Sequence, residues 1–557
     1  MYKIAFIFFM IISFSTSCQK SRMKDDKFLD ASYIQIDSCD TQTVKKLILL
    51  CKIWGFVKYY HPAVAAGKYD WDFELFRIMP LVLKAQSQGE FEKIIHKWIQ
   101  SLGEIKTSKE VLTEYQSTVY IYPDLSWIED SLSLGNNVTK CLTSIKRAER
   151  NYCHYYIRLE PAGNAKFTNE NAYSKFTNPD TGYRLLALFR YWNIIQYYFP
   201  YKHIIGEDWE HVLVRFIPPI IHAKNRKEYV DVLYKLIACI NDTHSILGGM
   251  LETNKYRIPV DVSFIEGKAV IINDNNKASQ LTRGDIILTI EGESIEEITT
   301  RRLPYLSASN YPTKLRELAS ELLATDKDRL YIEFEHNGKR QSDFILCSPN
   351  KKGTSRYQQD KPLISYFPEQ NILYMYLGSK EGGSIPENIR AKGVIIDLRC
   401  YPSEKIKGYW DIRQFYPDTT EFVKFTQPSI TTPGLFRFTH TFTVGEKNDE
   451  YYKGRKVILI NELTQSQAEF LAMKYRCAPN TLVIGSTTAG ADGNVSFLAL
   501  PGGLYTSISG LGVYYPNGQC TQRIGIIPDL EVRPSIKDIQ NGIDRLLEKA
   551  IEEIVKK

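Results

Sequence analysis

The sequence predicts a multidomain α/β protein in which helical N-terminal repeats lead through a β-rich module into a β/α core. Three observations predict it: a length of 557 residues, a duplicated aromatic helical pattern in the first half, and strand, turn, helix and strand alternation after residue 370. A chain this long exceeds what one hydrophobic core organises, so it divides into several units. Hydrophobic residues make up 43%, charged residues 24% and aromatic residues 12%, which excludes wholesale disorder and collagen-like repeats. Lys and Arg number 70 against 64 Asp and Glu, and the formal excess of +6 forms no basic tract, so nucleic acid is not an expected partner.

The chain opens with Lys3, the apolar run Ile4 to Ile12, and small residues leading to Cys18. This reads as an export signal over residues 1–17, with a polar tether over 18–44. Small residues directly before a cysteine resemble a bacterial lipobox, although Ser15 stands where an aliphatic residue is usual. The resemblance implies lipid attachment at Cys18, membrane contact through that lipid, and residence in the bacterial cell envelope, in the periplasm or on the outer surface. The apolar run is too short to cross a bilayer, and no later stretch reaches 18 uncharged apolar residues. Of the ten cysteines, none forms a Cys-x-x-Cys pair, and Cys51, Cys239 and Cys400 sit in apolar patterns expected to pack rather than react.

Two helical units follow, over residues 45–110 and 182–256, with a connecting region at 111–181. At a constant offset of 138, Trp54 falls on Trp192, Tyr59-Tyr60 on Tyr197-Tyr198, Pro62 on Pro200, Trp71 on Trp209, Arg77 on Arg215 and Pro80 on Pro218. Bulky residues in gapless register mark an internal repeat, and at helical spacing their first reading is core packing. The copies diverge at their ends: the second closes on Asn241-Asp242-Thr243-His244-Ser245, the first on Gly103-Glu104-Ile105-Lys106-Thr107. That divergence singles out His244, although a His after a helix is commonly structural.

Residues 257–348 shift to short β-rich runs, among them Ala269 to Ile272, Ile286 to Ile290 and Arg329 to Phe334. The Gly284-Asp285 turn feeding a strand, the Gly292 turn and a short helix near Ile295 resemble a PDZ domain. Such domains add an extended peptide to an open sheet edge and hold its terminal carboxylate.

In the last unit, 349–557, the runs Ile372 to Leu377, Gly393 to Leu398 and Lys456 to Ile460 are strand-like. Ala468, Leu471, Ala472 and Tyr475 then keep helical spacing until Pro479-Asn480, and Thr481 to Gly485 returns as a strand. Ser466 therefore stands at a helix N-terminus, where unpaired N–H groups favour developing negative charge. A Ser at such a position is also the common helix cap.

Asp397-Leu398-Arg399, Ser466-Gln467-Ala468-Glu469 and Gly525-Ile526-Ile527-Pro528-Asp529 occur in the order found in C-terminal processing (tail-specific) serine peptidases, the family that includes tricorn protease. The resemblance spans most of residues 182–535. It implies a crotonase/Clp-like β/α peptidase core, peptide-bond hydrolysis through an acyl-enzyme, and Ser466 as nucleophile. Many members place a Lys 25 residues beyond the nucleophile; here that position is Ala491, so another base is required. The tricorn-like branch uses a His after the helical region, which is His244 in this chain. The same branch implies Thr243 and Gln522 as groups orienting the His, with Asp242 or Asp492 as alternative acids because Gln522 is not one. For the oxyanion the helix start points to the N–H of Gln467, and the Gly-less loop Cys400-Tyr401-Pro402-Ser403 leaves Ser403 as the second donor.

No zincin, P-loop, dinucleotide or Gly-x-Ser-x-Gly motif is present, so no cofactor and no metal site are expected. The leading expectation is an exported, lipid-anchored serine endopeptidase acting on unfolded or C-terminal polypeptide segments. Two rivals stand beside it: a non-catalytic peptide-binding protein on the same scaffold, and a polysaccharide binder whose Trp and Tyr side chains would have to be exposed.

Overall fold

Side-chain caps begin the helical units. Asp40, Asp70 and Ser87 accept from the N–H groups of Thr43, Phe73 and Glu90 and start α1 (Thr41–Tyr60), α2 (Trp71–Lys84) and α3 (Gln88–Gln100). Asp180, Asp208 and Asn225 do the same for α4 (Thr181–Tyr198), α5 (Trp209–His222) and α6 (Arg226–Ala238). The computed structural model describes residues 25–556 apart from 108–117, 151, 252–253, 275–279 and 351–357. The export signal and Cys18 lie outside the described residues.

α2 and α5 each have 14 residues, α3 and α6 each 13. Each copy closes on a reciprocal pair of indole bonds: Trp54 and Trp71 each donate to the other's carbonyl at 2.9 Å, and Trp192 and Trp209 do so at 2.7 and 3.0 Å. α1 crosses α4 closely because Gly55 leaves room for Asn193, whose side chain donates to the Cys51 carbonyl at 3.0 Å; a Cβ at Gly55 would lie 1.8 Å from it. Arg190, fully buried on α4, pairs with Asp72 at 2.7 Å and Glu170 at 2.8 Å, and Lys58 completes the cluster on Glu170 at 2.6 Å. The aromatic stripes, Trp54, Trp71, Tyr59, Tyr60, Tyr197 and Tyr198 among them, are buried, so they offer no platform for a polysaccharide.

The connecting region is structured where it is described: Val119–Ile121 pairs antiparallel with Phe436–Phe438 of the last unit, and Ile157–Leu159 forms a hairpin with Ala165–Phe167. The strand β1 (Leu247–Gly249) follows His244 and leaves the helical unit to join a C-terminal sheet described below.

The β-rich module is an antiparallel sheet built from β2 (Asp261–Ile265), β3 (Lys268–Asn273), β4 (Ile286–Ile290), β5 (Arg329–His336) and β6 (Lys339–Leu346), in the order β6-β5-β4-β3-β2. Gly284 at φ 92° turns the chain into β4, and Asp285 locks the turn by accepting the Thr282 N–H at 2.8 Å. Helix α7 (Tyr311–Glu321) packs beside β2.

The core sheet contains β7 (Ile364–Phe367), β8 (Ile372–Tyr376), β9 (Gly393–Asp397), β10 (Arg455–Ile460) and β11 (Thr481–Gly485), ordered as numbered and parallel from β8 onward. β9 is buried along its whole length, the pattern of a parallel strand covered on both faces. α8 (Gln467–Arg476) and α9 (Arg545–Val555) pack on the sheet. The antiparallel pair β12 (Val495–Leu500) and β13 (Leu504–Ser509) takes β1 as its third strand. A last short strand, β14 (Leu530–Glu531), extends the core sheet beside β11.

The unit boundaries differ in detail from the sequence reading. α1 starts at 41 rather than 45, β1 lies within 182–256 yet belongs to a C-terminal sheet, and Ile539 packs on Ile265, Val270 and Ile286 of the β-rich module. Cys51 and Cys400 are buried as the apolar pattern predicts, whereas Cys239 is half-buried beside Arg215. No helix among the described residues is long and apolar enough to cross a membrane.

Candidate active site

Ser466 occupies the tip between β10 and α8 with φ 55° and ψ −118°, a backbone strained for any residue with a side chain. Its N–H is held twice, by the Ala491 carbonyl at 2.9 Å and by Glu469 Oε2 at 3.1 Å. Glu469, fully buried, also accepts from Thr488 Oγ1 at 2.5 Å and from the N–H groups of Gly490 at 2.8 Å and Ala491 at 3.0 Å. Burial pushes its carboxyl above the usual range against the pull of these donors. The Ser-x-x-Glu spacing thus puts a carboxylate one helical turn inside, where it fixes both the strained tip and the loop 488–491.

The preceding turn is anchored from two sides. Thr464 Oγ1 donates to the Leu398 carbonyl at 2.7 Å, and Arg316 of α7 reaches the Glu462 carbonyl at 2.5 Å and Gln465 Oε1 at 2.7 Å. Asp397-Leu398-Arg399 is an ionic brace: Arg399 pairs with Asp397 at 2.6 Å and with Asp544, the cap of α9, at 2.8 Å.

His244 lies at the end of the duplicated helices, buried, with Nδ1 2.9 Å from Ser509 Oγ. The Ser509 hydroxyl donates to Asp242 Oδ1 at 2.9 Å, and the Ser509 N–H to Asp242 Oδ2 at 2.7 Å. Because the single proton of Ser509 is spent on Asp242, its oxygen accepts from His244 Nδ1–H, which leaves the Nε2 lone pair without a proton. Nε2 is buried and has no hydrogen-bond partner. Burial lowers the imidazole pKa, with Asp242 acting in the opposite direction, so the neutral ring is favoured.

The structure brings Thr243, the neighbour of His244, and Ser466 to one short loop. Thr243 Oγ1 donates to the Ala489 carbonyl at 3.3 Å, while Ser466 N–H donates to the carbonyl of Ala491, two residues on. No hydrogen bond joins His244 Nε2 to Ser466 Oγ.

The other predicted site residues take different roles. Thr243 and Gln522 form no hydrogen bond to the imidazole: Thr243 Oγ1 is shared with Ser309, and Gln522 Nε2 donates to Asp242 Oδ1 at 3.1 Å. Ser509 and Asp242 orient the ring instead. Asp492 binds the Gly493 N–H at 2.6 Å rather than His244, and burial followed by the nearby Glu469 pushes its carboxyl well up. The Ser403 N–H is spent on the Leu377 carbonyl at 2.8 Å, so it does not serve as the second oxyanion donor. The N–H of Gln467, first residue of α8, has no acceptor within its own helix.

Sequence reasoning missed Ser509, Ser309 and Tyr401. Tyr401 sits with its hydroxyl at the Ser466 side chain; burial raises its phenol pKa, partly offset by that contact. The first two carry no sequence signal, and Tyr401 lay in a loop read only for backbone donors.

Residues 384–532 match peptidase family S41. Among solved structures, mature CPAF complexed with lactacystin superposes with a TM-score of 0.54 at 12% identity, covering 68% of this chain and 98% of that one. The photosystem II D1 C-terminal processing protease gives 0.37 at 14% identity over 67% and 97%, and tricorn protease 0.36 at 13% over 68% and 37%. No curated protein matches the chain.

Proposed function

We propose, from the premise that residues 384–532 belong to peptidase family S41, that the protein is an exported serine endopeptidase of the C-terminal processing type. Peptidase chemistry follows from the family; the roles of individual residues are our reading of the site. In this reading His244 Nε2 takes the proton of Ser466 Oγ as that oxygen attacks the substrate carbonyl carbon. The oxyanion is met by the Gln467 N–H at the positive end of α8. The imidazolium is stabilised through Ser509 by Asp242, and its proton passes to the departing amine, leaving an acyl group on Ser466 that water removes.

One observation supports this most: a buried, unpartnered His244 Nε2 whose neighbour Thr243 hangs from the same loop as the strained Ser466. Catalytic hydrogen bonds are commonly long before substrate arrives and tighten in the complex. Unfolded or C-terminal polypeptide segments are the substrate class, the PDZ-like module helps select them, and lipid at Cys18 holds the enzyme at the cell envelope. The open His–Ser contact and the spent Ser403 N–H favour a second reading, a peptide-binding protein without turnover. Fluorophosphonate labelling decides between them. The enzyme reading expects the full chain to be labelled at Ser466 and Ser466→Ala to lose both labelling and peptide cleavage while keeping its melting profile. An unlabelled, non-cleaving chain that still binds peptide establishes the second.

A further inference from the structure

The sheet β12-β13-β1 has one face that starts at His244. Directly opposed residues share a face, and Val495 opposes Ser509, Phe497 opposes Ser507, Ala499 opposes Tyr505, and Tyr505 opposes Gly248. The imidazole is bonded to Ser509 in the first row. Ile246 extends the second row, its N–H on Ser507 Oγ at 3.5 Å. In the third row the Tyr505 ring covers Gly248, where an added Cβ would come within 2.5 Å of it.

No side chain in these rows is charged, and those furthest from His244 are open: Phe497 is 58% exposed, Ile246 54% and Tyr505 42%. Soluble proteins rarely leave such side chains contiguous without a partner. Rows repeat every two residues, the repeat at which an extended peptide turns alternate side chains to one side. From Ser509 to Tyr505 the face runs about 14 Å, roughly four residues of extended chain.

We propose that this strip, Phe497, Ile246 and Tyr505, is a substrate subsite that takes apolar side chains at alternate positions of an extended polypeptide whose scissile bond lies at Ser466. The assignment rests on the peptidase reading, because continuity with His244 is what selects substrate over any other occupant. It defines the substrate class as apolar, unfolded segments long enough to run from the reacting bond along the roughly 14 Å of this face, parallel to its strands.

The test uses the full chain carrying Ser466→Ala, so that peptide is bound and not consumed. Fluorescence anisotropy follows two eight-residue labelled peptides, one with Leu at alternate positions and one with Ser there. Adding Phe497→Ser and Tyr505→Ser together should raise Kd for the Leu peptide about tenfold or more and leave the Ser peptide within about twofold. Ile246→Ser should shift the Leu peptide in the same direction. Equal shifts for both peptides, or none, overturn the proposal. So does sedimentation showing a dimer that the double substitution converts to monomer, since the strip would then hold a second copy. Failure of the peptidase reading shows separately, as absent fluorophosphonate labelling of the unaltered chain, while the binding measurement still reads the strip.

Discussion

Replacing Ser509 by Ala tests the arrangement around His244 most directly. The Ser509 hydroxyl stands 2.9 Å from His244 Nδ1 and 2.9 Å from Asp242 Oδ1, so its removal breaks both links at once. Asp242 keeps the Ser509 N–H at 2.7 Å and Gln522 Nε2 at 3.1 Å, and its carboxylate is not abandoned. His244 Nδ1–H loses its acceptor in a buried site. A neutral ring can then carry its proton on Nε2 instead, the tautomer that cannot take a proton from Ser466, and the imidazolium loses its route to Asp242. A hydrogen bond to a charged group contributes about 1.5–3 kcal/mol, so kcat/KM should fall about ten- to hundredfold. An unsatisfied buried donor costs about 1–3 kcal/mol of stability, a modest loss for a folded chain. Single-turnover fluorophosphonate labelling, alongside urea unfolding, measures both effects. Ser509→Thr retains a hydroxyl and should recover part of the rate. A Ser509→Ala chain that unfolds normally and labels at the unaltered rate refutes the relay.

Other expectations follow from buried charge. Since burial lowers the His244 pKa, the ring stays neutral through pH 7 and labelling should fall only as pH drops below the usual imidazole range; a rate that instead rises on acidification removes His244 as the base. His61 and His154 are both pushed down to about 4 by burial, so between pH 6.5 and 4 the unfolded chain binds more protons than the folded one and stability rises with pH. Each should contribute about 2 kcal/mol of loss between pH 7 and 5, read as a lower urea midpoint that His61→Gln partly removes. Arg190→Met leaves Asp72 facing Glu170 and Lys58 without its central cation, and should destabilise the helical units by about 3–5 kcal/mol in urea unfolding; a change below about 1 kcal/mol would show that the cluster is solvated.

The parts of this molecule legible in the chain alone are those written locally. The repeat register of Trp54, Trp71, Trp192 and Trp209 returns as paired helices closed by the same indole bonds, because a 3.6-residue period and its caps act over a few residues. Ser466 at a helix start, and Glu469 one turn on, follow from the same short-range logic. The divergence at the repeat ends marked His244 for the same reason, as a break in a pattern.

What orients that imidazole was decided by the path of the chain. Ser509 lies 265 residues from His244 and Gln522 280 residues from Asp242, and only the departure of β1 from the helical unit to pair with β13 brings them together. Likewise Ser403 was open to serve as a donor until its N–H found Leu377. A residue type states which hydrogen bonds it is able to make; which it does make depends on the acceptor that folding delivers, and burial then makes an unspent donor costly.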